Sequence, residues 1–279
     1  MKHRGPPWPV LIDSPGAWRR TLEAEPVLHW WHSHNNRPLS DLMREELLLD
    51  EASQGSPHLF TYAWAGPVLV LGYGQSPAGV VDLDFCGRKG IPVLRRSTGG
   101  TAVYHHGALS LCLCLPASHP WAQGIQGLYD AFVESVRAAL AATGIRTERP
   151  AIGRPAPTVR SPICFEDHRT ETLLLGGRKV LGCAQARRSR AVLVHGTLLF
   201  RLDAELQARI FGVPQARIEA AMGALPCPSP GGALSLAPKL ARQFAAALAS
   251  PLTPEPAPPP LPPGAEEARE SDLHWVIIP

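Results

Sequence analysis

The sequence predicts an α+β protein, a mixed and largely antiparallel sheet flanked by helices. Three observations carry this expectation. Apolar residues make up 45% of the 279 and charged residues 18%, enough apolar mass for one enzyme-sized core. Strand-like and helix-like stretches interleave irregularly, unlike the regular alternation of a doubly wound fold. The strands also come in close pairs across short glycine-bearing turns, the connection that antiparallel neighbours use.

Residues 1–25 are rich in Pro, Trp and Arg without a period and are expected as an N-terminal extension. The domain proper is placed at 26–250. Residues 27–31 read as its first strand. Ser40 is expected to cap a helix running to about Ser53, with Leu42, Met43, Leu47, Leu48 and Ala52 as its buried stripe. The stretches 58–64 and 68–71 are expected to pair with each other across Ala65-Gly66-Pro67. A short helix falls within 80–90, and 92–94 reads as a strand. Leu109, Leu111, Leu113 and Leu115 alternate with Ser110, Cys112 and Cys114, the pattern of a half-buried strand. Leu128, Phe132, Val136 and Leu140 have helical spacing, with Gly144 closing the helix. After a Pro-rich loop at 149–162, residues 172–175 and 178–182 flank Gly176-Gly177 as a two-residue hairpin, and 192–200 is the last clear strand. Helices are expected from Asp203 to Phe211 and from Pro238 to Leu248. Residues 251–279 open with a Pro-rich run too poor in apolar side chains to fold alone and read as an extended tail, whose final Trp275-Val276-Ile277-Ile278 has the character to dock back.

Composition excludes several functions. A net charge of +3 is too small to imply a nucleic-acid partner, and the densest basic run, Arg187-Arg188-Ser189-Arg190, reads as a solvated turn. No apolar run reaches membrane-spanning length, so no membrane partner is expected. The basic opening is followed by Gly5-Pro6-Pro7-Trp8-Pro9, where a secretory leader needs an apolar stretch. Six cysteines without paired spacing suit reduced thiols in the cytoplasm.

Chemistry is expected at three stretches. In the first, Arg95-Arg96 runs into Ser97-Thr98-Gly99-Gly100-Thr101 and then Ala102-Val103-Tyr104-His105-His106. A glycine pair lets backbone N–H groups approach a ligand oxygen, and the arginines have the fork geometry for an anion. His105 and His106 are neighbours on a strand, so they face opposite ways and make no metal pair. The second feature is Cys164 ahead of Lys179, since a thiolate is a nucleophile and a nearby ammonium stabilises it. Small residues follow that lysine in Gly182-Cys183-Ala184-Gln185, leaving room for a ligand. The third is His195-Gly196-Thr197, where the imidazole is expected to meet the ligand or the first motif. Cys183 is a rival nucleophile, ranked below Cys164, and Cys112 and Cys114 read as core.

Taken together in this order, the stretches 95–106, 177–185 and 195–198 resemble the signatures of the lipoate–protein ligase/octanoyltransferase family, over about residues 27–200. The resemblance implies a catalytic domain related to biotin–protein ligase. It is greatest to the cysteine-dependent octanoyltransferase branch, whose nucleophile matches Cys164 in Ile163-Cys164-Phe165 and whose lysine matches Lys179. Thr101 stands where ligases carry a third glycine, which leans the same way. His106 replaces a common Asp, and Asp167-His168-Arg169-Thr170 replaces a Pro-Ser-x-Tyr run. The implied donor is octanoyl-acyl carrier protein, the implied acceptor a lysine of a lipoyl domain or glycine-cleavage H protein, with no cofactor and no metal. Arg96, Ser97, Thr98, Gly99, Gly100, Thr101, Tyr104, His105, Gly182, Ala184, Gln185, His195, Gly196 and Thr197 are the implied substrate-binding set, with Cys164 and Lys179 catalytic. The competing implications are an ATP-dependent ligase, an amidotransferase that takes octanoate from another lipoyl domain, and a non-catalytic acyl- or carrier-binding protein.

Overall fold

The computed structural model describes residues 26–150, 161–167, 169–227 and 232–278. The expected extension at 1–25, most of the Pro-rich loop and His168 lie outside them. The first strand, β1 (Leu28–Asn35), leads into α1 (Pro38–Ala52). Proline at the first turn starts this helix, since its fixed φ suits that position and its missing N–H is no loss there. Ser40 therefore sits inside the helix and is not its cap; its hydroxyl donates to Glu266 instead. The buried stripe is Leu39, Leu42, Met43, Leu48, Leu49 and Ala52, with Leu47 only half-buried.

β2 (His58–Trp64) and β3 (Val68–Leu71) follow, but they do not pair. β2 runs parallel to β1, while β3 crosses to a second sheet. Both strands are buried along their whole lengths, and with no polar face to set a register, alternation had nothing to report. α2 (Leu83–Arg88) is capped by Asp82, whose carboxylate accepts from Phe85 N at 2.8 Å. β4 (Val93–Arg95), β5 (Val103–His105) and β6 (Ala108–Pro116) bracket the glycine pair. α3 (Ile125–Ala141) precedes the hairpin of β7 (Thr172–Leu175) and β8 (Arg178–Arg187), and β9 (Ala191–Leu199) returns beside β8. Gly176 and Gly177, at φ 57° and 76°, make the two-residue turn that only glycine adopts readily. α4 (Ala204–Phe211), α5 (Gln215–Ala221) and α6 (Ala237–Leu248) follow.

The C-terminal segment is laid along the body and does not extend from it. β10 (Leu252–Pro254) adds to the edge of β1, and α7 (Ala265–Glu270) lies on α1. β11 (Val276–Ile278) pairs with β4. Arg269 fixes the segment twice, by an ion pair to Glu46 at 3.1 Å and by stacking 4.1 Å over Trp275.

Among the described residues two sheets result, one in the order β10-β1-β2-β6-β9-β8-β7 and one in the order β11-β4-β3-β5. The fold class is therefore the expected one, a mixed sheet flanked by helices. Every residue of β6 is buried, against the expected half-burial, because the large sheet is covered on both faces. Leu109, Leu111, Leu113 and Leu115 pack with Phe132 of α3 and Phe244 of α6, while Cys112 and Cys114 face the α1 side. Phe132 and Phe244 are fully buried with ring centroids 5.3 Å apart. Phe132→Ala should therefore cost about 3–5 kcal/mol of stability, read as a lower urea midpoint with an unchanged slope.

Candidate active site

Cys164 begins a single 3₁₀ turn, Cys164–Glu166, which is sewn to the exit of the glycine motif. Ala102 N donates to Pro162 O at 3.1 Å and Cys164 N to Ala102 O at 2.9 Å, so the thiol-bearing turn and the Gly-Gly turn share one backbone ladder. Glu166 anchors the far side of the turn: Arg217 of α5 holds both its carboxylate oxygens, at 2.6 and 2.8 Å. Cys164 remains half-buried.

Lys179 reaches this turn because of a bulge. Leu173 pairs with Leu181 but Leu174 pairs with Lys179, which leaves Val180 as an extra residue on β8. Without it, Lys179 and Gly182 would lie on opposite faces of the strand. With it, both face the thiol: a Cβ on Gly182 would sit 3.2 Å from Lys179 Cε and 3.4 Å from Cys164 Sγ. Lys179 is 4% exposed, and its ammonium donates to the carbonyls of Cys164, at 2.8 Å, and Asp167, at 2.7 Å. Two of its three N–H groups are thus spent on shaping the turn, and one is left for the thiolate or an acyl oxygen. The lysine is a clamp as well as the charge beside the thiol.

The glycine turn is shaped from beneath by Arg96. This guanidinium, 4% exposed, donates to Thr98 Oγ1 at 3.0 Å, Val70 O at 3.3 Å, Gly99 O at 2.8 Å and Thr101 O at 3.0 Å. Arg95 is spent in the same way, on the carbonyls of Gly72, Tyr73, Gln75 and His274. Both arginines, whose fork geometry suits an anion, here donate to backbone carbonyls, and Arg96 also to the Thr98 hydroxyl. In a trans peptide, C=O and the next N–H point opposite ways. Drawing Gly99 O towards Arg96 therefore turns Gly100 N–H away from it, outwards. Gly100 has φ 91°, and a Cβ on Gly72 would meet Gly100 O at 2.1 Å, so both positions require glycine.

Two hollows share Cys164, Cys183 and Ala184 in their walls. Gly99, Gly100, Thr101, Ala184 and Gln185 line the outer one with Lys179 and Cys164. Arg96, His105, Gly182, His195 and Thr197 line the inner one, which also touches Cys164. Most of the expected set is thereby brought together. Ser97 is half-buried in the turn and Thr98 fully buried below it. Tyr104 and Gly196 are not. Strand alternation sends Tyr104 into the core formed with Phe85 and Met222, and a Cβ on Gly196 would strike the Phe132 ring at 2.9 Å, so its role is packing. His106 also faces away, hydrogen-bonded to Asp203 at 2.5 Å. The apolar wall of the inner hollow is made by Leu42 of α1 with Val70, Val103 and Tyr62.

Sequence reasoning missed Tyr129, which lines the outer hollow, and Glu45, which accepts hydrogen bonds from Tyr62 and His195. Glu45 left a signal: a carboxylate on the apolar stripe of α1, between Leu42 and Leu49. Burial pushes the Cys183 thiol far up, which makes it a poor nucleophile beside Cys164. Burial, helped by the charge of Arg96, lowers His105 to about 3, so this ring is neutral at the site.

A model of the lipoyl protein ligase A/B catalytic domain matches residues 37–247. The chain belongs to that family. Octanoyltransferase LipM of Geobacillus kaustophilus is 30% identical over 192 residues, 65% of this chain and 68% of the relative. The LipM of Carboxydothermus hydrogenoformans is 36% identical over 169 residues, 60% of this chain and 62% of its own. The expectation of an acyltransferase of lipoate biosynthesis agrees with these relatives. Among solved structures, a bipartite lipoate protein ligase from Thermoplasma acidophilum superposes with a TM-score of 0.66 at 20% identity, covering 90% of this chain and 92% of its own, and so shares the fold.

Two outcomes are expected. Limiting iodoacetamide at pH 8 should alkylate Cys164 well ahead of Cys183, as read by peptide mapping, because desolvation keeps the half-buried Cys183 thiol protonated. Stability should also fall as pH drops from about 6.5 towards 3, since the unfolded chain protonates His105 across that window and the folded chain does not. Urea titrations of wild type and His105→Phe should show a shallower fall in the variant.

Proposed function

We propose that the chain transfers octanoate from octanoyl-acyl carrier protein to a lysine of a lipoyl domain or H protein, through a thioester on Cys164. The observation that carries this reading is the placement of the Cys164 thiol between two hollows, beside Lys179 and the Gly99–Gly100 turn. In the first half, the Cys164 thiolate attacks the carbonyl carbon of the donor thioester. The carrier's C–S bond breaks, and the carrier leaves as a thiol after taking up a proton. Gly100 N–H and the free N–H of Lys179 receive the negative charge that develops on the carbonyl oxygen. The acyl tail enters the inner hollow against Leu42, Val70 and Val103.

In the second half, the neutral amine of the target lysine attacks the enzyme thioester. An amide forms, the Cys164 C–S bond breaks, and the proton lost by the amine balances the thiolate released. The two halves run as ping-pong transfer. LipM relatives support the octanoyl group, and the archaeal lipoylation system that pairs the Thermoplasma ligase with its E2 lipoyl domain supports the kind of acceptor. A cytoplasmic setting fits free thiols at every described cysteine. Among the described residues no helix is long and apolar enough to cross a membrane.

Intact-mass analysis tests the reading. Octanoyl-acyl carrier protein without ATP should leave a hydroxylamine-labile octanoyl adduct on wild type and none on Cys164→Ser. An adduct that persists on the variant moves the nucleophile elsewhere. An adduct seen only with free octanoate and ATP replaces transfer by ligation.

A further inference from the structure

The acyl-transfer mechanism makes no use of Glu45, a carboxylate 1% exposed on α1. Its Oε1 accepts from Tyr62 Oη at 2.9 Å, and its Oε2 lies 2.9 Å from His195 Nδ1. The other nitrogen of that ring, Nε2, lies 2.9 Å from Thr98 Oγ1. The Glu45 carboxylate only accepts, so the nitrogen facing it, His195 Nδ1, carries a proton and donates to it. In the neutral ring Nε2 is then the acceptor and takes the Thr98 hydroxyl proton, while Thr98 Oγ1 also accepts Arg96 Nε–H at 3.0 Å. A single tautomer satisfies the whole chain, from the helix carboxylate through imidazole and hydroxyl to the guanidinium that holds Gly99 O and Thr101 O.

An isolated buried carboxylate is costly, and an apolar side chain would fill this face of α1 without that cost. The arrangement accounts for a carboxylate here, because every link after it ends at the turn beside the thiol. We propose that Glu45 and His195 are positioning residues for acyl loading. Acting through the Thr98 hydroxyl, they hold the Gly99–Gly100 turn so that Gly100 N–H meets the reacting carbonyl oxygen. This inference deepens the acyl-transfer reading and rests on it.

Two rates on the full chain separate positioning from a structural role. Single-turnover loading from octanoyl-acyl carrier protein develops an oxyanion, whereas alkylation of Cys164 by iodoacetamide needs the same thiolate and develops none. Glu45→Leu and Thr98→Val should load about tenfold to hundredfold more slowly, with alkylation and the half-saturating carrier concentration changed by less than about twofold. Glu45→Gln and Thr98→Ser, which keep an acceptor and a hydroxyl, should retain most of the loading rate. The Glu45→Leu/Thr98→Val pair should be no slower than the slower single variant, since both cut one chain.

Loading that is unchanged in the Leu and Val variants, or that falls in step with alkylation, overturns the proposal. If Glu45→Leu does not fold, the Thr98→Val and Thr98→Ser comparison decides it. A wild-type chain that fails to load removes the acyl-transfer reading and this proposal together. A wild type that loads no faster than its variants removes only the proposal.

Discussion

The buried guanidinium of Arg96 is the constraint from which the rest of the site follows. A permanent cation that is 4% exposed must spend its N–H groups inside the protein, and here they go to three backbone carbonyls and one hydroxyl. Two of those carbonyls belong to the glycine turn. Drawing Gly99 O inwards turns Gly100 N–H away from the guanidinium, so one interaction both satisfies the arginine and fixes the orientation of that peptide. It also explains why the turn needs glycine: Gly72 passes too close for any side chain, and a Cβ on Gly100 would stand 2.8 Å from Arg96 Nη2.

The thiol is held against that turn by two further clamps of the same kind. Lys179 ties the carbonyls of Cys164 and Asp167 from one side, and the Arg217–Glu166 pair ties the turn from the other. In the pair with Arg217 the arginine is half in solvent while the Glu166 carboxylate is largely buried. The lysine is buried, so its two carbonyl bonds carry more weight. The C-terminal segment completes the frame at a distance: its β11 lies beside β4, and Arg95 on that strand reaches back to His274 O while holding the loop at Gly72. Segments far apart in the chain thus converge on a few backbone atoms around one sulfur.

Departures from expectation share a cause. Where a strand or helix is covered on both sides, polarity along it ceases to alternate or changes its meaning. β2 and β3 are buried end to end, so nothing in them announced that they belong to different sheets. The arginines before the glycine pair have the composition of an anion site, yet burial turns them into backbone staples. Lys179 was legible as a residue near a thiol, but not its face, since a single bulge at Val180 decides on which side of the strand it stands.

What the sequence determined by itself was the inventory and its order: a glycine pair after two arginines, a cysteine ahead of a Gly-Arg-Lys hairpin, a His-Gly-Thr strand, and enough apolar periodicity for a helix-flanked mixed sheet. These are local properties, carried by turn chemistry and by spacing along one element. Tertiary structure decided which members of that inventory meet. It sent Tyr104 and Gly196 into packing, set His105 rather than His106 at the inner hollow, and brought Glu45 from α1 to His195 across 150 residues of chain. The reason is physical: a buried polar atom takes whichever partner the fold brings within about 3 Å, and sequence separation has no part in that distance.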